Sequence, residues 1–310
     1  MIMKRLAHVL LTVAGPLILG ACQEKLEWTV DIVAGNPESL ADGPSVVKPS
    51  FEEIMPLDAT SPHPQGGDCQ GDYFFQFVKD NTAVRVYDLN SKTLVQTIKI
   101  TKSLKGFVAN CHCNSVNFGT EYYDPEDVFP LIYVSTGYAS GGYTGSMVYR
   151  ITLDDGTFSI TLVQTIKFPV DDSSWTEFIP GEEYGYLCYT SERVIYKVPM
   201  PKLKDGDVII SRDDAVDTYQ FTPQPEWMST SRNQDRMLYQ GKLLVISGVP
   251  KGEASVFMVL NMETREREKI IDFTDVGLTT ESESLFLWRG DICVAFVDKI
   301  VRLIDFVDPF

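Results

Sequence analysis

Short apolar runs separated by polar turns recur along this chain, and residues 61–100 show the pattern at its clearest. That unit opens with His63-Pro64-Gln65-Gly66-Gly67 and turns at Gln70-Gly71-Asp72. It continues through Tyr73-Phe74-Phe75-Gln76-Phe77, Val84-Arg85-Val86-Tyr87-Asp88-Leu89 and residues 94–100, with Asp80-Asn81 and Asn90-Ser91-Lys92 between the runs. Runs of this length, rich in β-branched and aromatic residues and bounded by Gly, Asn and Asp, predict strands joined by tight turns.

The unit returns four times. A second begins at Cys111-His112-Cys113-Asn114, a third near Trp175-Thr176-Glu177, a fourth near Arg232-Asn233-Gln234 and a fifth at Glu281-Ser282-Glu283. Measured from Gln65, Asn114, Glu177, Gln234 and Glu283, successive units lie 49, 63, 57 and 49 residues apart. The hexapeptide Leu94-Val95-Gln96-Thr97-Ile98-Lys99 recurs letter for letter as Leu162-Val163-Gln164-Thr165-Ile166-Lys167. Repetition at this period predicts an all-β propeller of four-stranded blades, most simply five, with a sixth degenerate blade between residues 200 and 232 as the alternative. The last unit has room for only three strands. Residues 51–58 have no blade of their own and are expected to supply the fourth, closing the ring and removing two exposed sheet edges.

Val84-Arg85-Val86-Tyr87-Asp88-Leu89 resembles the third strand of a WD40-type blade, with Tyr87-Asp88 where that family has Trp-Asp. The Gly-His signature of that family is missing. Over residues 50–306 the pattern is similar to lipid-anchored β-propellers of Bacteroidota, grouped loosely with TolB-like and NHL-like propellers. That resemblance implies a fold and an address, with no catalytic motif attached to either.

The N-terminus changes the picture. Lys4-Arg5 precedes an apolar stretch over residues 6–19 that is broken at Gly15-Pro16, the form of an export signal rather than a membrane-spanning helix. Leu19-Gly20-Ala21-Cys22 resembles the lipobox of bacterial lipoproteins, which implies a signal peptide over residues 1–21 and a lipid-modified Cys22; the Pro, Gly and Ser that follow read as a tether over 22–50, and the repeat gives a propeller domain over 51–310. Gln23-Glu24-Lys25-Leu26-Glu27 is similar to the surface-export signal of Bacteroidota lipoproteins. The expected location is therefore the cell envelope, on the outer membrane. Losing Lys4 and Arg5 with the signal moves the formal net charge from −16 to −18. Such a surface repels nucleic acid and anionic headgroups, so the acyl chain alone is the expected membrane contact. Beyond Cys22 the chain has Cys69, Cys111, Cys113, Cys188 and Cys293. An odd set cannot pair completely, and no disulfide framework is expected.

In a propeller the innermost strands line a central channel, and residues two apart on a strand share a side. The blade starts carry polar pairs at that spacing: His63 with Gln65, His112 with Asn114, Arg232 with Gln234 and Glu281 with Glu283, with Trp175 and Glu177 as a mixed pair. His63, Gln65, His112, Asn114, Glu177, Gln234 and Glu283 are accordingly the candidate ligand-binding residues at a channel mouth, where carboxylates would favour protonated imidazoles. No cofactor is expected. Cys111, His112, Cys113 and His63 are weighed as zinc ligands, and neighbours on a strand face opposite sides. Asp124-Pro125-Glu126-Asp127 is weighed for calcium on acid clustering alone. Tyr122-Tyr123, Tyr138, Tyr143 and Trp227 are loop aromatics of the kind that contact a glycan or protein partner. The expected function is that of a non-catalytic binding lipoprotein. The alternative is a carbohydrate-active enzyme using Asp68, Glu177 and Glu283.

Overall fold

The computed structural model describes residues 45–60, 63–106, 112–170, 176–189, 194–221, 233–248, 256–273, 276–278 and 280–304. They form five antiparallel blades whose innermost strands are Pro64–Gln70, Cys113–Phe118, Thr176–Ile179, Asn233–Tyr239 and Ser282–Trp288. The five blade starts expected from the repeat are thus the five inner strands. In blades 1 to 4 the chain runs outward through a second and a third strand to a fourth, and in blade 5 through a second to a third.

Alternation along each strand builds the core between neighbouring blades. On Tyr73–Val78, Phe75 and Phe77 face blade 2 and pack with Val116, Ile132, Val134 and Met147. Phe74 points the other way, into a cluster with Phe286, Cys293 and Ile300 of blade 5, and its ring stacks on Phe286 at 4.6 Å between centroids. A strand inside a propeller therefore has two buried faces, which is why these runs are apolar at nearly every position. Cys69, Cys113, Cys188 and Cys293 are buried.

Phe51–Pro56 pairs antiparallel with Lys299–Leu303 and completes blade 5, in a register running from Phe51 opposite Leu303 to Pro56 opposite Lys299. The buried Arg85 of blade 1 then holds the chain as it leaves the closing strand, donating to Asp58 O at 2.6 Å and Thr60 O at 3.2 Å.

Two short strands extend the outer edges. Val208–Ile209 adds in parallel to the outer strand of blade 2, and Asp217–Gln220 is the outer strand of blade 3. This use of residues 203–221 replaces the sixth-blade alternative, because a segment with two short strands shared between existing blades has no sheet of its own. Ser45–Val47, within the stretch read as a tether, adds in parallel to Arg267–Asp272 of blade 4.

Candidate functional site

Four inner strands break register at the same level. Gln65-Gly66, Asn114-Ser115, Gln234 and Glu283 are the extra residues between paired positions, so each lies in a β-bulge. Glu177 keeps a regular register. A bulge bends its strand and re-aims its side chain, here on the crowded axis of a five-bladed ring. Gly66 shows how crowded that axis is: a Cβ there would collide with the carbonyl oxygens of Cys113 and Asn114 on the next blade.

These polar side chains are packed away from solvent. Gln65, Asn114, Glu177, Gln234 and Glu283 are all less than 8% exposed. Glu177 forms an ion pair with buried Arg236, whose burial lowers its pKa to about 10. Gln234 donates to Glu281. Burial, with Glu281 and Asp235 nearby, raises the Glu283 carboxyl well above the usual range. His63 is exposed; its Nδ1 donates to Pro64 O at 2.9 Å and lies 4.0 Å from Glu283 Oε1. His112 Nδ1 lies 3.1 Å from Asn114 Oδ1. Burial lowers the His112 pKa and outweighs that contact, so the neutral ring is favoured there, against the expectation of a protonated imidazole.

The arrangement brings His63 to Glu283, His112 to Asn114 and Gln234 to Glu281, while Glu177 is joined to blade 4 through Arg236. Cys113 turns into the core between blades 1 and 2, away from the half-buried His112. Cys22, Cys111, Trp175, Trp227 and Arg232 lie outside the described residues.

An open cavity lies at the opposite ends of the same inner strands. All five contribute to a funnel of about 600 Å³. Blades 1 and 2 give it a polar side with Asp68, Gln70, Asp72 and Asn117. Ile179, Pro180, Met237, Leu238 and Leu287 of blades 3 to 5 make the other side apolar, and Arg289 stands at the rim. None of the seven candidate residues lines this funnel. Because the blades run antiparallel, the connection over residues 119–131 lies on the funnel face, whereas Gly141-Gly142 turns on the face of the histidines. The two aromatic inserts of blade 2 are therefore on opposite faces. Tyr122 and Tyr123 are exposed on the funnel side, with Arg150 over the Tyr123 ring at 4.7 Å. In the same loop Asp127 is paired with Arg150, and Asp124 accepts from Glu126 N.

Asp68 forms part of the funnel floor. Its two carboxylate oxygens each accept a backbone N–H at 2.7 Å, from Cys69 and from Phe118 of the next blade. Asp235 does the equivalent between blades 4 and 5, accepting from Arg236 N at 2.8 Å and Leu285 N at 2.9 Å. Ser135 links blades 2 and 3 by accepting from Phe178 N at 2.9 Å. Burial raises Asp235 well above the carboxylate range and Asp68 to about 7, while the backbone donors oppose the shift in both. At the rim Asp72 accepts from Trp288 Nε1 at 3.0 Å, Arg289 Nε at 3.3 Å and Asn90 Nδ2 at 2.6 Å, and these partners lower its pKa. Asp68 was legible in the sequence as an acid near a blade start. The rest of the funnel was not, because its residues are strand-end apolar groups and turn polar groups of ordinary type.

No protein-family model and no curated protein sequence matches this chain. Solved structures do resemble it. Glutaminyl cyclase of Myxococcus xanthus has a TM-score of 0.51 at 10% identity, over 84% of this chain and 100% of its own. Regucalcin of Agrobacterium tumefaciens, a calcium-binding protein, has a TM-score of 0.47 at 9% identity over 84% and 95%. Virginiamycin B lyase of Staphylococcus aureus has 0.43 at 11% over 82% and 98%. At these identities the likeness is one of fold, and what this chain shares with the Myxococcus enzyme is the β-propeller.

Proposed function

We propose that this protein is a non-catalytic ligand-binding propeller of the cell envelope, held to the outer membrane by a lipid on Cys22, and that its ligand enters the funnel. The observation that carries the reading is the funnel itself. Its volume of about 600 Å³ falls in the range of small-molecule sites, roughly 300–1,000 Å³. Every blade contributes to its wall, so a ligand there contacts residues from the whole chain. The bulged level at the other end supports the reading from the opposite direction, since Gln65, Asn114, Glu177, Gln234 and Glu283 are buried there.

The test is a small-molecule screen by thermal shift on the purified protein, repeated on Leu238→Trp, which fills the funnel. Ligands that raise the melting temperature of the wild type should leave the variant unmoved. Stabilisation that persists in Leu238→Trp places the ligand elsewhere and ends this reading. For the anchor, Cys22→Ser should move the protein from the membrane fraction to the soluble one.

One observation favours a carbohydrate-active enzyme as the second reading. A carboxyl raised to about 7 has the poise of a general acid, and Asp68 has one at the funnel floor. Glycoside hydrolysis in the usual two-carboxylate form needs a second acid, and Asp72, the other carboxylate of the funnel, is committed to Trp288, Arg289 and Asn90. A glycoside hydrolysis screen decides: turnover lost in Asp68→Asn with the fold retained would replace binding with catalysis.

A further inference from the structure

The charges lining the funnel do not cancel, and this points to a ligand class. Three charged side chains line it: Asp68, Asp72 and Arg289. Asp72 and Arg289 are paired at the rim. Asp68 has no ion-pair partner among the described residues, and the five connections from inner to second strands, which frame the rim, all lie among those residues. Its hydrogen-bond partners are two backbone N–H groups, one to each oxygen, leaving acceptor capacity on both. Asp235 stands close behind Asp68, with Glu283 beyond it; burial favours the neutral form of both, and the buried cation next to Asp235 on its inner strand, Arg236, is paired with Glu177. Cys69 is its neighbour on the strand and keeps its proton, since burial pushes the thiol far above its ordinary range.

Resting on the reading of the funnel as the ligand site, we infer that it takes a small organic monocation, a primary ammonium carried on an apolar body. The ammonium would sit at Asp68 on the side of blades 1 and 2. The body would lie along Met237, Leu238 and Leu287, where no polar side chain is left without a partner by covering it. A charge-assisted hydrogen bond to a partly desolvated carboxylate is the strong contact in such a pair. The formal net charge of −16 on the chain also favours a cation over an anion. An anion of the same shape would meet Asp68 and be rejected.

Calorimetric titration of the full purified chain with n-hexylamine, 1-hexanol and hexanoate separates head group from body. The amine should bind about ten- to a hundredfold more tightly than the alcohol at pH 8, and hexanoate least. Asp68 ionises near pH 7, whereas an alkylammonium stays charged to about pH 10. Amine affinity should therefore rise about tenfold from pH 6 to pH 8, with proton release on binding near pH 7. Asp68→Asn should bring the amine down to the level of the alcohol, and Leu238→Trp should abolish both. If the alcohol binds as well as the amine at pH 8 and both are lost in Leu238→Trp, the funnel remains the ligand site and the cation inference falls. If amine binding survives Leu238→Trp, or none of the three probes binds, both fall together. Should Asp68→Asn not fold, the wild-type pH series still decides, because a flat profile overturns the role of Asp68.

Discussion

The two copies of Leu-Val-Gln-Thr-Ile-Lys occupy equivalent outer strands and live in different surroundings. In blade 1 the copy is the edge of its sheet, with Leu94 and Val95 each 44% exposed. In blade 2 the same letters are covered by Val208–Ile209, and Gln164, Thr165 and Ile166 are buried. The glutamines do the same work in both places, satisfying backbone groups of a segment that follows in the chain. Gln96 donates to Phe158 O at 2.8 Å and accepts from Phe158 N at 2.9 Å. Gln164 donates to Lys202 O at 3.0 Å and Gly206 O at 2.7 Å. Identical local sequence thus makes an identical strand, down to the extra residue of a β-bulge at Val95 and at Val163, and the burial of that strand is decided by residues about 40 positions later.

Three pairs of substitutions test how far that cover separates the copies. The largest effect is expected from Ile166→Ala, which leaves a cavity under Val208 and Ile210. It should cost about 2–5 kcal/mol in urea unfolding, and Ile98→Ala about half of that. Equal costs would mean that the added strand contributes no packing. Next comes Gln164→Ala, which strips two carbonyls of their donor and should cost about 1–3 kcal/mol, against roughly 1 kcal/mol for Gln96→Ala, where water can replace the amide. A larger loss at Gln96 would reverse the comparison. The smallest effect is Val95→Lys, within about 0.5 kcal/mol at an exposed edge. The same change at Val163, which packs against the core of blades 2 and 3, should be clearly destabilising. Light scattering would add a second readout, because a lysine on an open edge should also reduce association.

Much of the fold was legible because propeller strands are buried on both faces and their turns are marked by Gly, Asn and Asp. Each expected blade start is an inner strand, and the closing strand lies where the three-strand remainder of blade 5 requires it. Val208–Ile209 and Ser45–Val47 were not legible, since two or three residues are too few to show a period. The bulges did leave a trace: Gln65-Gly66-Gly67, Asn114-Ser115, Gln234-Asp235 and Glu283-Ser284 interrupt the apolar alternation with consecutive polar or small residues. That trace drew attention to the blade starts, where the polar groups proved to be buried. The funnel lies three to five residues further along each strand, where Met237, Leu238 and Leu287 look like any other core positions. Only ring geometry assembles them.

The seam of blade 5 has a consequence for the order in which the protein is made. Phe51 finds its partner in Leu303, 252 positions later. A chain that emerges from its N-terminal end therefore carries residues 51–56 without a partner until almost all of the propeller has followed. A chain with only four complete blades would be an open arc, with bare strands at both ends and a long loop still to close. Closure needs residues 299–303, so a chain cut short before residue 299 should keep its arc open and its edges available to proteases and holding chaperones, which the finished ring denies them.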